Sequence, residues 1–258
     1  ITATCLFLMS GCYIFYNNNI VNKYQNSDTV EEIRANYEKE LKQFEHIAQP
    51  KITATYMEVD IFPNERAIDA NGFYLIKNKT NETIEQIHLQ KSSDEDAKLS
   101  NLKFEGGATS YQKYEDFGYE IFTLNQAMQP GEERKMEFSV VRKPEGFKEG
   151  GTSRSIVENG TFFNNTNYFP SFGYDENAEL GNDSKREEYD LPEKERMMKR
   201  DDPRGLSQNL FGDDADHIDF EIVLSTTADQ TAIAPGYLQR AWEEGGRKYF
   251  HYKMDAPM

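Results

Sequence analysis

The chain has 258 residues, 37% of them hydrophobic, and a mean hydropathy of −0.80, enough for one large core or two smaller ones under a well-hydrated surface. Its 17 Phe and 15 Tyr are bulky strand and core residues that a charged disordered chain lacks. Forty-five acids against 29 bases leave a net charge of −16 spread along the chain, a field that repels phosphate backbones and argues against a nucleic-acid partner.

Residues 1–22 open with ITATCLFLMSGCYIFY, sixteen uncharged residues before the first charge at Lys23. As a helix this run rises about 24 Å, short of a hydrocarbon core of roughly 30 Å. Since the first residue is Ile, the run reads as the end of a transmembrane helix in a longer protein. A buried strand or helix, or a lipoprotein processing site at LMSGC, are the alternatives. Cys5 and Cys12 are the only cysteines, so the body of the chain has neither a disulfide framework nor a cysteine-based zinc knuckle.

Residues 23–50 read as a connector helix. Val30, Ile33, Tyr37, Leu41, Phe44 and Ile47 recur every three or four positions from Asp28 to Ala48, which places them on one face. Thr29 or Asp28 is the expected cap, with Glu32 or Glu31 three residues on, and Pro50 marks the end.

From Lys51 the period changes to two. ITATYMEVDIF alternates through Ile52, Ala54, Tyr56 or Met57, Val59 and Ile61, as a strand with one wet face does. AIDANGFYLIKNKT returns as its partner, with Asn71-Gly72 a candidate bulge. TIEQIHLQ, the region around LKFEG, YEIFTL and RKMEFSVV follow, the last two joined through Pro130-Gly131 in an expected type II turn. The fold class is therefore mainly β: an antiparallel β sandwich or saddle-like sheet spanning 51–258, with an N-terminal helix and a charged, partly helical insertion at 175–217. Within the insertion Asp190 is the expected cap of a short helix through KERMMKR, broken at Asp202-Pro203-Arg204-Gly205. HIDFEIVLST and two strands around Glu244-Gly245-Gly246-Arg247 close the sheet, and Trp242 is expected on or near a strand.

Local chemistry is sparse. His46, His88, His217 and His251 fall in four separate elements and no HExxH is present, whereas a zinc hydrolase needs three ligands and a base held together. The group DDADHID, Asp213 to Asp219, is the best metal candidate and reads first as a solvated turn. The glycine-rich GGTS at Gly150 is not followed by the Lys-Thr of a phosphate loop.

Three phrases stand in order: YFPSFGYDEN at Tyr168–Asn177, AIAPGYL, and a terminal MDAPM. They resemble the N-terminal β domain of the aminopeptidase N family of zinc metallopeptidases, in which FPCxDEPxxKAxFxIxI precedes an alanine-x-x-Gly segment and a closing strand. The start of the chain and its Asn-rich approach are similar to bacterial membrane proteins in which an ABC-transporter-type permease is fused to such a region. The resemblance implies a non-catalytic domain, with no cofactor of its own. The zinc-binding catalytic domain would follow Met258 as its partner, with a peptide as substrate, at a bacterial cell membrane. A family Gln that helps hold the substrate amine lies about eleven residues before the Pro; that offset lands on Asn159, with Glu158 beside it, as substrate-cleft candidates. Asn159 is one methylene shorter, and Tyr174 and Asn177 depart from the DEP pattern. As a plain structural reading, Asn159 is a turn residue tolerant of left-handed backbone. Pro170 holds Phe169 extended, and Phe169 and Phe172 anchor the crossover.

Overall fold

Two-residue periodicity becomes two stacked sheets in the computed structural model, which describes residues 1–148, 153–194, 198–207, 212 and 214–258. The strands are β1 (Lys51–Phe62), β2 (Ala67–Lys77), β3 (Ile84–Gln90), β4 (Ala97–Phe104), β5 (Ala108–Tyr114), β6 (Tyr119–Met128), β7 (Glu133–Arg142), β8 (Ser171–Phe172), β9 (Asp219–Thr227), β10 (Tyr237–Glu244) and β11 (Arg247–Lys253). Among the described residues they form a seven-stranded sheet in the order β10-β11-β9-β1-β2-β7-β4 and a four-stranded sheet in the order β5-β6-β3-β8. All pairs are antiparallel except β1 with β9, which run parallel from Ala54↔Asp219 to Asp60↔Ser225. That pair departs from the antiparallel expectation, because β9 enters beside β1 after the long excursion of residues 143–218 and no hairpin dictates its direction.

Inward side chains from both sheets make one core. Met57, Val59, Ile76, Phe138 and Leu224 from the large sheet meet Ile87, Leu89, Leu124 and Met128 from the small one, and burial of this apolar surface is the main stabilising term. The double assignment at Tyr56 or Met57 resolves through a register shift between Ile52 and Ala54. Ile52 packs on the core before the bulge and Met57, Val59 and Ile61 point inward after it, since one extra residue inverts the two faces. Asn71-Gly72 is not a bulge. Gly72 pairs regularly with Met57, and a Cβ there would meet Tyr56 O at 2.2 Å and Met57 Sδ at 2.5 Å, so the glycine is set by close approach of the neighbouring strand. At Pro130-Gly131 the turn closes by Glu132 N donating to Gln129 O (3.0 Å) with Gly131 at φ +80°, as type II requires.

Helix α1 (Thr2–Tyr16) has no buried side chain and continues through a π-helical turn, Asn17–Val21. Its base seats on the loop after β7, where Asn22 Nδ2 donates to Glu145 O (3.1 Å) and Tyr13 packs on Phe147 at 5.7 Å between ring centroids. Among the described residues no helix is long and apolar enough to cross a membrane.

Helix α2 (Ser27–Leu41) is shorter than the expected Asp28–Ala48 and is capped by Asn26, whose Oδ1 accepts from Thr29 N at 2.8 Å, in place of Asp28 or Thr29. Lys42–Phe44 follow as a 3-10 turn. Tyr37 and Leu41 cover the outer face of the small sheet at Tyr119 and Ile121, so α2 forms a third layer. Val30 and Ile47, expected on that face, are exposed, because the helix stops before Ile47 and its first turn overhangs the sheet.

The remaining α-helices among the described residues are α3 (Asn165–Tyr168), α4 (Asp183–Glu188) and α5 (Pro203–Ser207). Asp190 does not cap a helix; it sits at φ +54° just past the end of α4, where left-handed backbone ends a helix. Lys194 and residues 198–199 are not helical, and 195–197 of the expected KERMMKR helix lie outside the described residues. Pro203 starts α5 instead of breaking a helix, as a first-turn proline can.

Candidate functional site

Among the described residues, an open trough of about 2830 Å³ runs past both sheets. One wall is the turn-rich approach to β8. Ile156, fully buried, pins its base. Phe162 N donates to Ser155 O (2.8 Å) and Gly160 N to Val157 O (3.2 Å), which closes a tight turn over Val157–Gly160 and leaves Glu158 and Asn159 exposed on the trough. Asn159 occupies the turn without left-handed backbone: among the described residues Arg66, Asn101 and Asp190 are the non-glycines at positive φ. Phe162 beside it is 82% exposed, an apolar side chain held out over the same trough.

Downstream, Asn164 and Asn167 form a reciprocal cap on α3 and Tyr168 turns inward, with the Arg142 guanidinium 5.4 Å from its ring. Phe169 is extended at φ −97°, ψ 152°, the geometry a following proline favours. It packs half-buried on Phe138 at 6.4 Å between centroids. Pro170 is buried. Phe172 lies in the core and pairs with Leu89 across β3 and β8, its N–H donating to Asp214 Oδ2 at 2.9 Å.

The second wall is the segment after β9. Gln230 Nε2 donates to Glu158 O (2.7 Å) and Tyr252 OH to Ala232 O (3.1 Å), which ties the segment to the first wall and to β11. Gly236, at φ +99°, has no room for a Cβ, which would come within 2.6 Å of Lys253 C and O; the glycine of the APG phrase is thus a packing requirement. Asp229 and Ile233 lie on the trough, and the hydrogen bond from Thr227 holds the Asp229 carboxyl below the usual range. Ile218 and Met258 also line the trough, and the terminal tail meets the residue before β9, Met258 N donating to Ile218 O and Ile218 N to Met258 O, both at 3.0 Å.

Gln230 and Asp229 carry no local motif, and the fold alone brings them to the trough that Asn159 lines, with Gln230 clasping Glu158 O at 2.7 Å. The Asp213–Asp219 group does not converge. Asp214 accepts from Phe172 N (2.9 Å), Asp216 accepts from His217 N (2.8 Å) and pairs with Lys79, and Asp213 lies outside the described residues, as do Gly150, Gly151 and Thr152 of the GGTS run. Among the described residues no three of His, Cys, Asp and Glu are grouped to hold a metal. His88 is buried, with Nδ1 2.9 Å from Tyr119 OH, and burial lowers it to about 4. His251 Nε2 is 2.7 Å from Glu221 on the far face of the sheet.

No protein-family profile and no curated protein matches the chain. Among solved structures it is similar to the M1 zinc metallopeptidase from Deinococcus radiodurans in a form bound to a Tyr-Ser-Ala substrate, at 14% identity and TM-score 0.47, with 81% of this chain and 40% of that chain covered. A two-domain M1 zinc metallopeptidase bound to L-arginine gives 15% identity and TM-score 0.48 with the same coverage, 81% and 40%. The chain thus spans about 40% of the length of these structures.

Proposed function

We propose that this chain is the non-catalytic β partner of a zinc-aminopeptidase-like domain joined after Met258, and that Asn159 and Glu158 wall the end of that neighbour's cleft where a peptide's free amine sits. One observation carries the reading: the Glu158–Asn159 turn and Met258 line the same trough, so a domain attached at Met258 starts on the surface that the turn faces. The ordered FP, APG and APM phrases support it from the sequence. Asn159 is exposed and presents an amide oxygen that can accept from an ammonium, while Glu158 and Asp229 supply negative charge at the same trough. In this reading zinc belongs to the neighbour, and this chain positions substrate and excludes water.

Helix α1 supports a membrane tether. It is apolar and exposed on all sides, a surface that water disfavours and lipid accepts. We place it as the end of a membrane helix at a bacterial cell membrane, following an exporter-type permease region.

The test is the protein extended through its natural downstream sequence, assayed for bound zinc and for amino-acid release from aminoacyl reporters. Stoichiometric zinc with release supports the reading; a downstream domain with neither metal nor cleft overturns it. The competing reading is a β-sandwich module of a transporter that binds protein or peptide. It draws on the ring stacks left on the outer sheet face, Tyr56 on Phe73 at 5.6 Å and Trp242 on Tyr249 at 5.1 Å.

A further inference from the structure

The free edges of the two sheets are not guarded alike. β4 is interrupted in its middle by a register shift between Ser100 and Lys103, with Asn101 at φ +52°. β5 is interrupted likewise between Ser110 and Gln112, and β8 has two residues. Such bulges and short lengths keep an edge from templating another strand. On β10 the irregularity lies near its beginning, between Leu238 and Arg240. The five residues Arg240–Glu244 are left straight, hydrogen-bonded to β11 on one side and open on the other.

We propose that this edge pairs with the same edge of a second copy, antiparallel about a two-fold axis at Trp242. The charges choose the register. Arg240, Trp242 and Glu244 share the outer face by strand alternation. With Trp242 opposite the partner's Trp242, Arg240 faces the partner's Glu244 and Glu244 faces the partner's Arg240, two opposite-sign cross-strand pairs related by symmetry. One step in one direction sets Glu243 against its own copy. One step in the other sets Arg240 against the partner's Trp242 and leaves both Glu244 residues without a cation across the joint, Arg247 beside each belonging to its own β11. No side-chain hydrogen bond or ion pair holds the Glu243 or Glu244 carboxylate among the described residues, though Lys248 and Arg247 stand opposite them on β11, and the Arg240 guanidinium rests on Trp242 at 4.8 Å. Trp242 already stacks on Tyr249 with 11° between the rings, so the joint places Tyr249–Trp242 stacks back to back across the axis. This inference stands apart from the cleft reading, since β10 lies at the end of the large sheet and neither Arg240 nor Trp242 lines the trough.

Charge reversal tests it. The full chain is held in detergent to occupy α1 and followed by sedimentation velocity over roughly 1 to 100 µM, the range expected for so short a joint. Wild type forms dimers. Arg240→Glu and Glu244→Arg each place like charges opposite one another and weaken the dimer about 10-fold or more, and the double reversal recovers it. Association through α1 would ignore these changes. A wild type that stays monomeric across the range, or dimers indifferent to the single reversals, overturns the proposal. The variants are exposed and on the surface; unchanged circular dichroism shows that the fold is intact in each.

Discussion

The two fastenings of the small sheet differ in kind. Toward the large sheet it is held by side chains such as Ile87, Leu89, Phe138 and Met128, all buried to 2% exposure or less. Toward α2 and the insertion the contact mixes aromatic rings with ions. Arg186 of α4 donates from Nη1 and Nη2 to Glu38 Oε2 and Oε1 of α2, both at 2.7 Å. It also donates to Leu180 O and Pro192 O at 2.8 and 2.7 Å. Nearby, Glu179 accepts from Lys42 (2.7 Å) and Tyr174 OH (2.8 Å) and pairs with Lys194 (3.1 Å). Burial would raise the Glu179 carboxyl, but these partners outweigh it and hold it low. The apolar interface tolerates imperfect fit at graded cost, whereas the polar one works only when each partner is in place.

Truncations separate the two. Phe138→Ala removes an aromatic side chain from the shared core and costs about 4 kcal/mol of global stability, read as a lower midpoint in denaturant with an unchanged slope. Glu38→Ala leaves Arg186 buried with a net charge and costs about 3 kcal/mol. Its loss falls locally: hydrogen exchange in α2 and residues 176–190 accelerates, while β1, β2 and β7 keep their protection. If both changes lowered protection everywhere alike, the distinction between the two interfaces would fail.

Between the two layers sits His88, its ring edge-on to Phe44 of the α2 side at 5.0 Å. Burial lowers its pKa from 6.5 to about 4, so between these values the unfolded chain binds the proton and the folded chain does not. The contribution of His88 to stability is therefore full above about pH 6.5 and falls as pH drops toward 4, by no more than about 3 kcal/mol. His88→Gln keeps a hydrogen-bonding atom for Tyr119 and removes the titration. The gap between its stability and that of wild type should vary with pH across this window; a constant gap would show that His88 is not the titrating group.

Much of the large sheet can be read from alternation alone, because β1, β2, β7 and β9 each bury one face. β5 cannot: ATSYQKY is exposed along most of its length and lacks apolar alternation. The parallel β1–β9 pair and the inversion at Thr53 are tertiary outcomes, set by pairing and a bulge and not by composition. Ions escape the sequence most completely, since Glu38 and Arg186 are 148 positions apart and each alone reads as a solvated charge. At the trough, the turn at Asn159-Gly160 is visible in its residue types, whereas the Gln230 clasp that supports it comes from a loop 72 positions away.

The wall assigned to Asn159 is tested most directly by the kinetics of the protein extended through its natural downstream sequence. With an aminoacyl reporter, Asn159→Leu should raise KM about 10-fold with kcat nearly unchanged, because it removes a hydrogen-bond acceptor for the substrate amine. Asn159→Gln, which keeps the amide, should stay near wild type. A KM indifferent to the leucine substitution would contradict a cleft role for this residue.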